Sequence, residues 1–184
     1  MHPWLRKSCA LCEVALALGV MDKHALVAQM VAHIRESIGV AVREGAAAAD
    51  AAREGDDAQA RREDARMALE YGALAAGQSK RAEQAHFILS QLETFRPGPV
   101  PKNGRIDVGA LIEIEDEDNG VGRTLFIAPV GAGMELTGPG GDGFLSVITP
   151  TSPIGRAARG RQLGDSIDVT VDGETRTWEI TWVE

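Results

Sequence analysis

The chain has 184 residues, room for one ordinary domain or two small ones with a modest core. Its 27 acidic residues against 19 basic ones give a formal charge of −8, which argues against direct binding to duplex nucleic acid, where Lys and Arg contacts to phosphate do most of the work. Aromatic residues make up 4% of the chain, too few to build a stacking platform for single strands.

Residues 1–20, MHPWLRKSCALCEVALALGV, set Arg6 and Lys7 ahead of an apolar run, as a signal peptide would. Glu13 interrupts that run, no A-x-A cleavage site follows, and the run is too short to span a membrane. The expectation is an N-terminal extension that need not be native, with Met21 as the natural start; mass spectrometry of the native N-terminus decides it. Cys9 and Cys12 are the only cysteines. Without a second pair or a strand–helix redox context, they read as incidental thiols in a reducing cytoplasm.

From Asp22, a candidate N-cap, to about Glu54 the chain reads as helix. Val27, Val31, Ile34, Ile38, Ala41, Gly45, Ala48 and Ala52 alternate by four and three, the spacing of a coiled-coil seam. A second seam runs through Met67, Tyr71, Leu74, Gln78, Arg81, Ala85, Ile88 and Leu92 and is less apolar at Gln78 and Arg81. A short break joins the two, so 21–96 reads as an antiparallel hairpin with its tip near 54–60. Thirty-odd residues per helix give a rod roughly 45–50 Å long. Gly55 suits the position past the first helix, and Asp56 or Asp57 suits the cap of the second. That capping role accounts for the acids without any function, while the reach of such a rod singles out its turn as a working end.

RPGPVPKNG, 96–104, stops the second helix, and 97–104 reads as a stiff Pro-rich linker. Over 105–184 the period falls to two. DVGALIEIED, RTLFIAPV and GFLSVITP read as strands, and GAGMELTGPGGDG between the last two reads as a glycine-rich turn with neither phosphate-loop motif. TSPIGRAARG signals a compact helix with Ser152 at the N-cap, Pro153 at the first position and Gly160 past the end. DSIDVTV and TRTWEITWVE flank Asp172-Gly173, a strong hairpin signal, and Trp178, Ile180 and Trp182 alternate onto one face, expected to be the core. The expected class is α+β, a helical hairpin followed by a small strand-rich domain.

VITPTSPIGRAARGRQLGDSIDV, 147–169, followed by DGETRTWEITWVE, resembles the C-terminal domain of the GreA/GreB family of bacterial transcript cleavage factors. ALIEIEDEDNGVGRTLFIAP resembles the strands before it, and LEYGALAAGQSKRAE, 69–83, resembles the second helix of Gre-like proteins. The resemblance runs from about residue 22 to the C-terminus. It implies an N-terminal antiparallel coiled coil and an FKBP-like C-terminal domain, carried by a cytoplasmic monomer with no membrane contact. The partner it implies is bacterial RNA polymerase, engaged through its secondary channel, with nascent RNA touched only inside that complex. Ser152, Pro153, Arg156 and Arg159 are the implied partner-binding residues. Asp56 and Asp57 are the implied tip acids and metal ligands; they would assist a Mg²⁺ ion shared with the polymerase, with no cofactor of the chain's own. Such a protein stimulates the polymerase's own nuclease and is not an enzyme by itself.

The tip departs from the family pattern of an Asp, two intervening residues, then Glu-Asn. Aligning AREGDD on it puts Asp56 at the Asp, Gln59 at the Glu and Ala60 at the Asn, whereas a gapless alignment from the second helix puts Arg61 and Arg62 at the pair. Stimulated cleavage and channel binding without cleavage are therefore both open. A prolyl isomerase on the FKBP-like domain is a poorer fit, since beyond the linker the aromatics are only Phe126, Phe144, Trp178 and Trp182. A generic coiled-coil adaptor leaves the C-terminal resemblance unexplained. His24, His33 and His86 lack metal-ligand spacing.

Overall fold

The computed structural model describes residues 22–51, 61–138, 143–171 and 173–184. In chain order they form α1 (Lys23–Ala51), α2 (Arg61–Thr94), β1 (Leu111–Asp116), β2 (Gly122–Ile127), β3 (Glu135–Thr137), β4 (Phe144–Ile148), α3 (Pro153–Ala158), β5 (Ser166–Val171) and β6 (Glu174–Val183). Two long helices followed by a mixed sheet give the expected α+β class. Contacts divide the chain into two units. One is Val31–Thr94; the other joins the residues up to Met30 with Phe95–Glu184.

α1 starts where its cap residue says it should. The Asp22 carboxylate accepts the backbone N–H groups of His24 at 3.0 Å and Ala25 at 3.2 Å, satisfying two donors that the first turn cannot pair internally. Within Val31–Thr94 the helices run antiparallel, as the pairings of Arg35 with Glu93 at 3.0 Å and Gln78 with Glu44 at 2.7 Å require. The expected seam of α1 holds: Ile34, Ala41 and Ala48 are buried, and Val31, Ile38 and Gly45 are half-buried. The seam of α2 needs a correction. Arg81 is exposed and Ala82 is buried in its stead, between Gln78 and Ala85. An unpaired guanidinium is too costly to bury, and the alanine one residue on lets the helices meet closely. Met67, Tyr71 and Leu74 stay partly open. The antiparallel pairing brings Leu74 level with the alanine-rich end of α1, whose short side chains cover little of it.

The six strands form one sheet in the order β3-β4-β2-β1-β6-β5. Only β2 and β4 are parallel; the other neighbours are antiparallel. The glycine-rich stretch expected to be a turn thus contains a short strand, β3. One face of the sheet holds a core of Ile112, Ile114, Leu125, Ile127, Ile148, Ile167, Val169, Trp178 and Ile180, closed by Ala158 of α3. β5 and β6 join at the expected hairpin, with Val171 opposite Glu174 and Gly173 at φ 85°; Asp172 lies outside the described residues. The alternation along β6 breaks at its end. Ile114 pairs with Ile180 but Ile112 pairs with Val183, so Thr181 is an extra residue, a β-bulge. Val183 therefore returns to the core side, and Trp182 stands half-buried opposite Glu113.

The opposite face, with Leu111, Phe126, Leu136, Leu145 and Val147 all buried, is covered from outside the sheet sequence. Phe95 packs on Phe126 with ring centroids 6.3 Å apart. Leu26 and Met30 of α1 are fully buried, and a Cβ on Gly131 would stand 2.7 Å from Met30 Cε. The Gln29 amide donates to Thr137 O and accepts from Thr137 N, both at 3.0 Å, filling the open edge of β3 as a neighbouring strand would. Lys23, only 7% exposed, donates from Nζ to Gly98 O at 3.2 Å.

Burial holds the Lys23 ammonium below its ordinary value near 10.5, and the nearby Glu184 carboxylate offsets part of that shift. Between the lowered folded value and 10.5 the unfolded chain binds more protons than the folded one, so Lys23 makes stability rise with pH in that window. Urea unfolding at steps from pH 8 to 10.5 should show the stability of the native chain climbing relative to Lys23→Met. A pH-independent difference would contradict this account.

Candidate functional site

The two stretches expected to carry function fall differently on the structure. Asp56 and Asp57, with Gln59 and Ala60, lie outside the described residues. Ser152, Pro153, Arg156 and Arg159 come together on and around α3. Among the described residues no group of three His, Cys, Asp or Glu side chains is placed to hold a metal ion.

The start of α3 is built by its own short sequence. Ser152 is extended at φ −66° and ψ 157°, and its hydroxyl accepts from the N–H of Gly155 at 3.0 Å while donating to Thr149 O at 2.8 Å. Pro153 then occupies the first helical position, where a missing N–H costs nothing. Gly155 sits against the strand end that precedes the helix. A Cβ there would run into Thr149 O and Ser152 Oγ, so only glycine lets the turn close. The Ser152 hydroxyl is thus spent inside the turn, while Pro153 and Arg156 are exposed. Arg156 has no ion pair among the described residues.

The far end of α3 is tied to the linker side of the domain. Ile106 N donates to Arg161 O and Gly160 N to Ile106 O, both at 2.8 Å, pairing 106 with 160–161 like a short ladder. Arg105 reaches Gly160 O at 2.8 Å, and Gln162 Nε2 reaches Asn103 O at 2.6 Å. Arg159 Nε donates to Asp107 Oδ1 at 2.9 Å, a pair with both partners more than half exposed and so worth little to stability. The two arginines singled out in the sequence therefore differ, Arg156 being open and Arg159 engaged. Leu163, four residues on from Arg159 in the chain, is a large apolar side chain in the open, 63% exposed. Sequence reading missed Arg105, Asp107 and Gln162, because their pairing crosses some fifty residues of chain. The one local hint was the density of arginine and glycine at 155–164.

Residues 101–184, which span all six strands and α3, match the family model described as "Transcription elongation factor, GreA/GreB, C-term". The C-terminal domain of this chain is thus similar to the C-terminal domain of GreA/GreB factors. A curated relative, the transcription elongation factor GreA of Paracoccus denitrificans (strain Pd 1222), is 33% identical over 101 residues, a match covering 54% of this chain and 58% of that protein. The chain thus spans little more than half the length of the curated relative it matches. Among solved structures, Gfh1, the GreA factor homolog 1 of Thermus thermophilus, overlays at 18% identity and TM-score 0.35, covering 87% of this chain and 93% of that one. The GreA/GreB factor from Nitrosomonas europaea overlays at 16% identity and TM-score 0.33, covering 54% and 78%. Overlays this loose add nothing to the sequence match.

In the C-terminal domain, the α3 turn stands on Gly155 and Ser152. Gly155→Ala should cost about 3 kcal/mol of unfolding free energy, as a backbone clash in a packed turn does. Ser152→Ala should cost about 1 kcal/mol, as the loss of an N-cap does. Urea denaturation of both variants checks this, and a Gly155→Ala variant as stable as the native chain would refute the tight turn.

Proposed function

We propose that the protein is a transcription elongation factor of the GreA/GreB type that binds RNA polymerase through the secondary channel and acts on backtracked or paused complexes. The family match over 101–184 carries this reading, and the antiparallel hairpin of α1 and α2 ahead of that domain supports it. α1 is by length and composition apolar enough to cross a membrane. Its apolar seam is instead occupied by α2, and Arg35, Glu36, Arg43 and Glu44 are exposed along it, which supports a soluble, cytoplasmic role.

In this reading the α3 surface docks on the polymerase, with Pro153 and Arg156 as its exposed contacts and Arg159 exchanging Asp107 for a partner group. The segment between the helices supplies Asp56 and Asp57 to the polymerase's catalytic centre. Two-metal hydrolysis of a phosphodiester places one ion on the attacking water and one on the leaving oxygen. Mg²⁺ takes oxygen ligands and keeps several waters, so a weakly held second ion gains from one or two added carboxylates. Asp56 and Asp57 are of the right chemistry, while Gln59, where the family has glutamate, offers only a neutral oxygen. The chain has no hydrolytic centre of its own in this scheme. It acts as a monomer and meets RNA only within the polymerase complex.

Purified protein added to backtracked polymerase complexes, with binding and RNA cleavage scored separately, tests the proposal. Binding with cleavage that falls at least tenfold in Asp56→Ala/Asp57→Ala supports the full scheme. Binding with cleavage untouched by that double substitution reduces the acids to a helix cap, and binding without any cleavage makes the protein a channel competitor. Failure to bind overturns the proposal. Arg156→Ala should weaken binding several-fold and Arg159→Ala less, because Arg159 already has a partner to leave.

A further inference from the structure

Between α3 and β5 the segment Arg161-Gln162-Leu163 is bracketed by Gly160 and Gly164, both in the left-handed region at φ 79° and 84°. Hydrogen bonds on both sides of Leu163 fix its course. Arg161 N donates to Ala158 O at 3.0 Å, and Arg161 O accepts from Ile106 N at 2.8 Å. Gln162 N donates to Asp165 Oδ2 at 2.9 Å and Asp165 N donates back to Gln162 O at 3.1 Å. Gly164 N reaches Ile180 O at 2.8 Å, and the Gln162 side chain is spent on Asn103 O. A lone exposed leucine is ordinary on a protein surface. Leu163 differs because a backbone tied down on either side of it holds the side chain 63% open. A partner that covers it has little loop entropy left to overcome.

The two segments that meet here, 102–107 and 156–165, are cationic. They carry Lys102, Arg105, Arg156, Arg159 and Arg161, all exposed. Their only carboxylates are Asp107, which pairs with Arg159 at 2.9 Å, and Asp165, whose Oδ2 is taken by Gln162 N. Arg161 makes no ion pair among the described residues. On a chain of net charge −8, such a local excess of positive charge selects an acidic partner surface. We infer that Leu163 is an apolar anchor that enters a pocket rimmed by carboxylates on RNA polymerase, with Arg161 pairing to that rim. This rests on the elongation-factor reading and adds to it both a residue and the chemistry of the surface it meets. Charge speeds the encounter, and the buried leucine sets how long the complex lasts.

Association and release rates of the full chain on immobilised bacterial RNA polymerase, measured at low and at high salt, test this, with thermal unfolding followed in parallel. Leu163→Ser should weaken binding about tenfold, through faster release and equally at both salts. Its melting temperature should match that of the native chain, because the side chain lies in the open. Leu163→Met, which keeps the apolar bulk, should bind within about twofold of the native chain. Arg161→Ala should slow association several-fold at low salt, with the effect fading at high salt. Leu163→Ser binding as tightly as the native chain would overturn the inference. So would weaker binding accompanied by a lower melting temperature, since Leu163 would then be a packing residue. A native chain that does not bind at all overturns the elongation-factor reading itself, which is a separate result.

Discussion

A sheet with two apolar faces needs two covers, and this one owns a single short helix. α3 is six residues long and closes one face. The other face carries Leu111, Phe126, Leu136, Leu145 and Val147, all but removed from solvent. Leaving such a surface wet would cost about 25 cal/mol for each Å² of apolar area. The chain meets the need with segments that precede the family-matched region, Phe95 and the first two turns of α1. The unit that folds together is therefore wider than residues 101–184. The same two turns also settle the edge of β3 through Gln29. Lys23 contributes a buried ammonium whose desolvation is only partly offset by Gly98 O and Glu184.

With the sheet covered, α3 can be specialised at its ends. Its start is rigid because glycine allows the backbone of 155 to close on Thr149 and the Ser152 hydroxyl bridges the turn. Its end is rigid because 103–107 is knitted to 159–162 by five hydrogen bonds that cross the linker boundary. What is left pointing outward is Pro153, Arg156, Arg161 and Leu163, a basic surface with an apolar tooth on a chain whose net charge is −8. A positive patch on an acidic protein selects partners by charge complementarity and disfavours free polyanions, which the rest of the surface repels.

The hairpin follows a different logic. Alanine and glycine in its seam bring the helices close and keep the pair slender, but they remove the interdigitating side chains that normally define a register. They also leave Leu74 partly uncovered, because an alanine cannot shield a branched side chain on the facing helix. Across that seam the Gln78 amide donates to the Glu44 carboxylate at 2.7 Å.

Local pattern was enough for whatever depends on a few consecutive residues: the Asp22 and Ser152 caps, the seam of α1, the stop at the prolines, the β5–β6 hairpin and the α+β class all follow from side chains acting on their own backbone. Family likeness was legible in the C-terminal motifs for the same reason, since a turn like the one around Ser152 and Gly155 demands particular residues in order. What depends on chain segments meeting across dozens of residues could not be read that way. The alternation of β6 predicted Trp182 in the core, but the bulge at Thr181 is set by pairing with β1. Arg81 fitted a strict four-three count, yet the facing helix decided that Ala82 is the residue inside. The strand within 131–143 exists because β4 and Gln29 flank it, the latter 108 residues away in sequence. Arg156 and Arg159 look alike in one dimension, and only Asp107, brought alongside by the fold, makes one of them engaged and the other open.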